Sequence, residues 1–388
     1  MTALRSYRIL ELSEGVAGEY CGKLLSDFGA TLIKIERPDG GSPTRHMSPF
    51  GPGDVAGETS GLFAFLNTNK QSVALDLASD DGRRVLAGLL DHVDVAIDDH
   101  PSGWLKEVGL DPEAVAGRWP GLILCSITAF GQNPPDERRH AEDLTVFHAS
   151  GWGYHTPGAG YDDLPPLKGP GRFLVSYESG MDAAMCVAAT LYEREESKLG
   201  QFIDISKHEV MVSRCDYVVA LLIANELDVG ESRGVYDLGG PGGIFPCKDG
   251  YIYVFMSTRQ HWKALCQLVG KPEWLDEFPE LWLEKIEELT PERIARARQG
   301  LIEWLSTRDK NDAAAEAQAL GITLVPINNT PETLENPQFQ HRGYYQEVEH
   351  PVLGKALYPT VPYKMTETPA KIAAPAPALG QHSAELLS

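Results

Sequence analysis

The sequence lacks the cysteine patterns of metal sites and disulfide scaffolds. Its six cysteines are scattered along the chain, and none belongs to a C-x-x-C pair. A zinc site or a network of disulfides usually needs closely spaced cysteines. We therefore expect six reduced thiols in a cytoplasmic protein.

Long hydrophobic runs and positive charges are also scarce. No apolar run approaches the roughly 18 residues that a membrane span needs, and no basic segment followed by an apolar one begins the chain. The chain has 34 Lys and Arg against 55 Asp and Glu, which gives a formal net charge of −21. This charge argues against nucleic acid and anionic membranes as partners. An anionic ligand would have to be held by local cations.

The first half of the chain alternates strand and helix patterns. The clearest unit is a strand over 8–12, a helix that begins near Ser13 and stops at Gly29, and a strand over 31–36. Further strands are predicted over 73–77, 93–97, 122–128 and 202–205, and helices over 80–90, 180–194 and from 206 to about 225. This spacing predicts an α/β fold with a parallel sheet and helices on both faces.

The turn after the first strand does not have the glycine fingerprint of dinucleotide-binding proteins. Arg37 follows the second strand directly, and Arg45 comes soon after it. Phosphorylated ligands bind beyond the carboxyl ends of the strands in open α/β sheets. The pattern therefore predicts a phosphate-bearing ligand that is held differently from a dinucleotide.

The second half of the chain changes in character. A glycine-rich loop over 228–243 precedes a predicted hairpin around 248–251 and helices near 260–270, 291–306 and 311–319. The proline-rich remainder contains several aromatic residues, which favours packing over disorder. We predict a large domain over 1–225, a small domain over 226–325 and a C-terminal segment over 326–388.

Four segments, in this order, resemble the family III CoA-transferases, the group that includes formyl-CoA transferase, carnitine CoA-transferase and the α-methylacyl-CoA racemases. They are LSEGVAGEYCGKLLSDFGATLIKIERP (12–38), LNTNKQSVALDL (66–77), SITAFGQ (126–132) and LYEREESKLGQFIDISKHE (191–209). The resemblance implies a Rossmann-like large domain with an inserted smaller α/β domain. It also implies a C-terminal segment that returns to the large domain and a homodimer of interlocked rings.

The resemblance further implies that the ligands are CoA thioesters and carboxylic acids, with no metal and no tightly bound cofactor. CoA is expected against the start of the first helix, at Val16 and Ala17. Arg37 matches a family position that contacts CoA phosphate. The turn Asn69-Lys70 also matches a family motif, and Lys70 is the expected phosphate or ribose contact.

The segment after the fourth strand departs from the family pattern. Relatives commonly have E-N-F-R-P-G there, whereas this chain has Asp-Asp-His-Pro-Ser-Gly over 98–103. Asp99 and His100 are therefore expected at the CoA site in place of an amide and an arginine. A carboxylate near a pyrophosphate is unfavourable unless it pairs with a cation or faces the ribose.

The expected nucleophile is also missing. Family transferases use an aspartate whose carboxylate attacks the thioester and forms a mixed anhydride. Counting back from Gly180 places Ser176 at that position, and a serine cannot form an anhydride. Glu178 would project to the same side as Ser176 if this stretch were extended. The alternative is that Glu178 only stabilises the start of a helix.

Two further candidates lie in the segment that matches the surroundings of the racemase acid/base histidine. Glu142 stands at the position of that histidine, and His140 lies two residues before it. A solvated charged turn is the alternative for this segment. The glycine run over 239–243 matches a loop that closes over the anhydride in transferases, although an interdomain hinge would explain it equally.

Two functions remain open from the sequence. In the first, the chain transfers CoA between carboxylic acids at an atypical site, where Glu178 or a substrate carboxylate replaces the aspartate. A variant of this function is a lyase, hydratase or racemase-like enzyme that acts on acyl-CoA thioesters with the same fold. Alternatively, the chain is a non-catalytic subunit of a heteromer whose homologous partner carries the aspartate. Arg37 and Lys70 favour the enzymatic function, and the missing aspartate favours the non-catalytic subunit.

Overall fold

The protein divides into two compact units. The computed structural model describes residues 2–52, 57–135, 141–155, 171–225, 242–255, 258–273 and 291–387. The first unit contains residues 1–153, 168–226 and 338–388, and the second contains residues 154–167 and 227–337. The predicted domain boundaries were 225 and 325, so the second unit takes an additional short segment and extends further toward the C-terminus.

The first unit is built on a six-stranded parallel sheet, which confirms the predicted α/β fold. Its strands occur in the order β3-β2-β1-β4-β5-β6. Their bounds are β1 Arg8–Glu11, β2 Thr31–Glu36, β3 Lys70–Ala74, β4 Val95–Asp98, β5 Ile123–Thr128 and β6 Phe202–Ser206. The strand order reverses between β1 and β4, and a ligand crevice is expected beyond the carboxyl ends of these strands.

Ten α-helices precede the C-terminal segment in the described part of this unit. They are α1 Val16–Asp27, α2 Gly61–Leu66, α3 Asp80–Leu90, α4 Trp104–Glu107, α5 Pro112–Arg118, α6 Asp143–Ala149, α7 Trp152–His155, α8 Leu174–Ser197, α9 Lys207–Arg214 and α10 Asp216–Ala224. Helix α1 begins after Gly15 rather than at Ser13, and it ends at Asp27; Gly29 follows two residues later with φ of +97°. Helix α8 begins six residues before the predicted start.

Helices α1 and α8 pack closely against each other. A Cβ atom on Gly180 would lie 2.4 Å from the carbonyl oxygen of Ala17, so only glycine allows this approach. The contact fixes the start of α8 beside the start of α1. Both helix starts therefore lie near the carboxyl edge of the sheet.

The second unit has a three-stranded antiparallel sheet in the order β7-β8-β9. Its elements are β7 Gly243–Cys247, β8 Gly250–Phe255, α11 Arg259–Leu268, α12 Pro291–Leu305, α13 Lys310–Gln318, β9 Thr323–Pro326 and α14 Thr330–Glu335. The predicted hairpin and helices of this region are present. Buried Trp262, Phe245 and Leu301 belong to the core between the helices and the sheet.

The C-terminal segment returns to the first unit and covers the edge of its sheet. It contains α15 Pro337–Arg342, the antiparallel hairpin of β10 Tyr345–His350 and β11 Gly354–Pro359, and α16 Ser383–Leu386. The amide of His382 donates to the Ser72 carbonyl at 2.9 Å, and the Ala74 amide donates to Ser383 Oγ at 2.9 Å. Edge strand β3 is thus shielded from pairing with other chains. No helix in the described ranges is both long and apolar enough for a membrane span.

Candidate functional site

A buried ionic cluster lies under α1 and holds the strands next to the crevice. Lys34 Nζ lies 3.0 Å from Glu11 Oε1 and 2.9 Å from Glu19 Oε1, and Lys70 Nζ lies 2.8 Å from Glu11 Oε2. All four side chains are buried. Burial lowers the pKa of Lys34, but the carboxylates of Glu19 and Glu11 outweigh it and raise the pKa overall. The cluster ties β1, β2, β3 and α1 together.

A second buried pair extends this cluster toward the C-terminal segment. Arg45 donates from Nε to Glu36 Oε2 at 2.8 Å and from Nη2 to Glu36 Oε1 at 2.9 Å. Arg45 Nη2 also donates to the Pro377 carbonyl at 3.0 Å. Burial raises the pKa of Glu36, but the Arg45 hydrogen bonds and the charge of Lys34 dominate and bring the pKa to about 2. Arg45 is thus a structural cation.

The side chains of Lys70 and Asn69, which the sequence predicts as CoA contacts, bond to other residues of the protein. Lys70 Nζ uses its three donors on Glu11, on the Glu19 carbonyl at 2.8 Å and on Asn67 Oδ1 at 2.9 Å. Asn69 Oδ1 accepts from the amides of residues 373 and 374, and Asn69 Nδ2 donates to Asp27 Oδ1 at 2.7 Å. Both side chains serve the fold.

The start of α1 is also different from the prediction. Asp99 Oδ1 accepts from the amides of Glu14 and Gly15 at 2.9 and 3.0 Å, and Asp99 Oδ2 accepts from the Gly18 amide at 2.9 Å. The protein's own carboxylate therefore occupies the anion site at this helix end. Asp99, which the sequence predicts at the CoA site, caps α1 and also lines a cavity of about 170 Å³.

The two α1 residues predicted to contact CoA separate in the structure. Ala17 is fully buried against α8 and does not line the described cavities. Val16 lines a cavity of about 620 Å³. We call this space the main cavity; its other lining residues include Met47, Glu142, Asp143, Arg172, Ser176 and Lys207.

Two smaller cavities continue from the main cavity along the carboxyl edge of the sheet. The linking cavity, of about 170 Å³, shares Glu142 and Lys207 with the main cavity and also contacts His100. The β2 cavity, of about 380 Å³, shares His100 with the linking cavity and is also lined by Arg37, Glu14, Arg83 and Trp104. The linking cavity thus shares lining residues with both of the others and lies between the main cavity and the β2 cavity.

Cations and carboxylates both line the β2 cavity; the carboxylates belong to Glu14, Glu36, Asp76 and Glu107. Arg37 is 53% exposed, and its Nε lies 3.0 Å from Glu14 Oε1. His100 stacks on Trp104 with ring centroids 3.6 Å apart, and its Nδ1 lies 2.7 Å from Asp98 Oδ1. Burial lowers the pKa of His100, but hydrogen bonds with Asp98 and Glu14 outweigh it and raise the pKa to about 9. His100 is therefore an imidazolium at neutral pH.

Three polar side chains meet in the main cavity. Ser176 Oγ donates to Asp143 Oδ1 at 2.8 Å, and the Ser176 amide donates to Asp143 Oδ2 at 2.9 Å. Lys207 Nζ donates to Ser176 Oγ at 3.1 Å and lies 3.4 Å from Asp143 Oδ1. Asp143 and Lys207 are the first residues of α6 and α9, and Ser176 lies in the first turn of α8. Three helix starts thus converge on one carboxylate, which their dipoles stabilise.

Sequence reasoning did not assign roles to Asp143 and Lys207. Lys207 follows β6 directly within the capping sequence Ser-Lys-His-Glu, which indicates a helix start at the edge where ligands bind. Asp143 follows the predicted Glu142. Both signals were present, but their convergence on Ser176 depends on tertiary structure.

Glu178, a predicted candidate nucleophile, lies on a different face of α8 from Ser176. The stretch is helical rather than extended, and residues two positions apart on a helix point in directions that differ by about 200°. Glu178 Oε2 accepts from Arg214 Nε at 2.7 Å and does not line the described cavities. Glu142 does line the main and linking cavities. His140 and residues 239–241 lie outside the described residues.

No group of three or more His, Cys, Asp and Glu suited to a metal ion occurs within the described ranges. The site chemistry available here is that of carboxylates, a hydroxyl and cations. Such a set can bind anions and can carry out nucleophilic attack. The predicted contacts of Arg37 and His100 with CoA stay predictions, now located on the walls of the β2 cavity.

We predict that Lys70→Gln destabilises the protein without weakening CoA binding. Removing this cation leaves Glu11 short of a buried partner, which should lower the free energy of unfolding by about 3 kcal/mol or more. Urea denaturation and calorimetric titration with CoA would measure the two effects. Lys106→Gln, at an exposed position on α4, is the control and should change neither. Loss of CoA affinity at unchanged stability would restore the ligand role of Lys70.

We predict that His100 makes stability depend on alkaline pH. Its pKa rises from 6.5 to about 9 on folding, so its contribution is complete below pH 6.5 and disappears as the pH rises through 9. Free energies of unfolding should therefore decline across this window more steeply in the wild type than in His100→Gln. If the free energies of unfolding of the two proteins changed in parallel with pH, the His100 imidazolium would not contribute to stability.

Comparisons with known proteins agree with this geometry. The family model described as CoA-transferase family III matches residues 4–383. The succinyl-CoA:glutarate CoA-transferase of Mus musculus is 29% identical over 391 residues, covering 100% of this chain and 86% of the relative. The succinyl-CoA:mesaconate CoA-transferase of Haloarcula hispanica is 28% identical, covering 100% and 96%.

A solved structure supports the same assignment. A CAIB/BAIF family protein from Brucella suis superposes with a TM-score of 0.82 at 26% identity, covering 100% of both chains. The family model spans nearly the whole sequence, and the structural match includes the parallel sheet that positions the three cavities. This chain belongs to CoA-transferase family III.

Proposed function

We propose that this chain itself transfers CoA between carboxylic acids, at the main cavity and by an atypical site. The observation that carries the proposal is the cluster of Ser176, Asp143 and Lys207 on the cavity wall. Ser176 occupies the position where the family resemblance places the aspartate. The cluster nevertheless provides a carboxylate and a cation at this position, which a purely structural subunit would not require.

The row of cavities supports an extended pose for CoA. Arg37 and His100 would pair with the phosphates in the β2 cavity, and the pantetheine arm would pass through the linking cavity. The thioester would then lie in the main cavity beside Ser176. Because Asp99 fills the end of α1, side-chain cations rather than the helix dipole would hold the phosphates.

The same cavity supports dicarboxylic acids as the substrate class. Arg172 lines the main cavity, and its Nη1 donates to the Ser48 carbonyl at 2.9 Å. Within the described residues, no carboxylate pairs with this guanidinium. An arginine can bind a carboxylate in a bidentate manner, so Arg172 would hold the distal carboxylate. The relatives' names include glutarate and mesaconate, both dicarboxylates.

The second candidate is a non-catalytic subunit of a heteromeric transferase. The observation that favours it is the serine at position 176. In that case, a homologous partner with an aspartate would perform the chemistry, and the isolated chain would bind CoA without turnover.

We predict that the purified chain forms a new thioester from succinyl-CoA and glutarate or mesaconate, as detected by chromatography. Arg172→Gln should raise the KM for the dicarboxylate about tenfold or more, because a charged hydrogen bond is lost. Arg84→Gln, which removes an exposed arginine paired with Asp81, is the matched control and should leave KM unchanged.

The two candidate functions give different results in this assay. Turnover by the chain alone supports the proposed activity. Turnover only after addition of an aspartate-bearing homologue would support the subunit role. An unchanged KM in Arg172→Gln would remove the argument for dicarboxylates while leaving CoA transfer intact.

A further inference from the structure

We propose that Asp143 is the nucleophile that accepts CoA, from a different helix than the family aspartate. This inference rests on the proposed CoA transfer and names the residue that performs it. The carboxylate at position 176 is absent, but Asp143 Oδ1 lies only 2.8 Å from Ser176 Oγ. A carboxylate on α6 thus reaches the part of the cavity that an aspartate on α8 would occupy.

The position of Asp143 suits attack on a thioester. Its side chain lines the main cavity and is 13% exposed, whereas Ser176 is 3% exposed. Two hydrogen bonds from Ser176, one from the hydroxyl and one from the amide, fix the orientation of the carboxylate. Oδ1 also accepts from Lys207 Nζ at 3.4 Å. Each carboxylate oxygen has two lone pairs, so one remains on Oδ2 for reaction.

The chemistry of CoA transfer favours Asp143 over Ser176. A hydroxyl needs a base to become a nucleophile, and the ammonium of Lys207 donates to this hydroxyl rather than accepting from it. An acylated serine would be an ester, which cannot hold CoA. A carboxylate can form both an anhydride with the acyl group and a thioester with CoA.

The reaction balances with Asp143 alone. A carboxylate oxygen attacks the acyl carbon, the C–O bond of a mixed anhydride forms, the C–S bond breaks and CoA thiolate leaves. The thiolate then attacks the aspartyl carbonyl, giving an aspartyl-CoA thioester and releasing the first acid as its carboxylate. The second carboxylate displaces the thiolate from this thioester, which gives a new anhydride. Attack of the thiolate on the second acyl carbon regenerates Asp143.

Ser176 and Lys207 are positioning residues in this scheme. Ser176 holds the carboxylate, and Lys207 lies within 3.4 Å of Asp143 Oδ1. The ammonium would offset negative charge that develops as the thioester carbonyl is attacked. This explains why a serine can replace the usual aspartate without loss of a carboxylate from the cavity.

Chemical trapping tests the proposal directly. The wild-type protein is incubated with succinyl-CoA and treated with borohydride, which reduces an aspartyl-CoA thioester to homoserine, or with hydroxylamine, which gives an aspartyl hydroxamate. Peptide mass spectrometry should find the modification at position 143. Modification at Glu178, Glu142 or Ser176 instead, or at no residue, would overturn the proposal.

Turnover of variants provides the second test. Asp143→Asn should lose at least about a thousandfold in kcat while retaining CoA affinity and thermal stability. Asp182→Asn is the matched control, because Asp182 is 19% exposed and also pairs with a cation, Arg214, outside the cavity. Asp143→Asn activity within about threefold of the wild type would overturn the proposal. If Asp143→Asn does not fold, the trapping result on the wild type decides.

Failure of the proposed CoA transfer and failure of the proposed role of Asp143 give different results. Trapping needs neither an acceptor acid nor turnover. Modification of Asp143 in a protein that never completes transfer would therefore contradict the proposed CoA transfer but not the reactivity of Asp143. Turnover with no trapped residue, and with full activity in Asp143→Asn, would instead indicate direct transfer between the bound substrates. That result would overturn the role of Asp143 and retain CoA transfer.

Discussion

The geometry of the crevice depends on charges buried where the first three strands meet α1. Burying ions costs free energy, and the cost is acceptable only where each ion has a partner at hydrogen-bonding distance. Here three carboxylates face three cations, so their formal charges cancel; they are Glu11, Glu19, Glu36, Lys34, Lys70 and Arg45. Apolar packing would tolerate small rotations of α1, whereas these directional contacts do not. The helix start, and with it the wall of the crevice, is therefore fixed in one position.

The two ends of the crevice use helix dipoles in opposite ways. At the start of α1, Asp99 accepts from the amides of Glu14, Gly15 and Gly18, so a carboxylate of the protein already faces the positive end of this helix dipole. At the main cavity, the starts of α6, α8 and α9 surround Asp143, and the dipoles act on a side chain that faces open space. In the proposed pose of CoA, side-chain cations such as Arg37 and His100 would hold the phosphates, and the helix starts at the main cavity would act on Asp143.

The sheet could be predicted from the sequence, but much of the site could not. Strand β5 is a mainly apolar run, and the regular alternation of strands with helices in the first half of the chain predicts a parallel sheet. The start of α8 was missed because Ser176, Tyr177 and Glu178 interrupt its apolar pattern, which made Gly180 resemble a helix start. Lys70 is a residue type that often contacts phosphates. It is buried here because its partners, such as Glu11 and Glu19, lie far away in the sequence and meet it only in the folded protein. The contact of Asp143 with Ser176 joins residues 33 positions apart, and no local pattern reports it.

The cover on strand β3 has a consequence for biosynthesis. Ser72 bonds to His382, which the ribosome adds 310 residues later. Throughout that interval the emerging sheet presents an unpaired edge, and the cation Arg45 lacks the carbonyl of Pro377. The sheet edge therefore becomes fully covered only after His382 and Ser383 have been synthesised, so chaperones that bind exposed strand edges would have access to β3 throughout that interval.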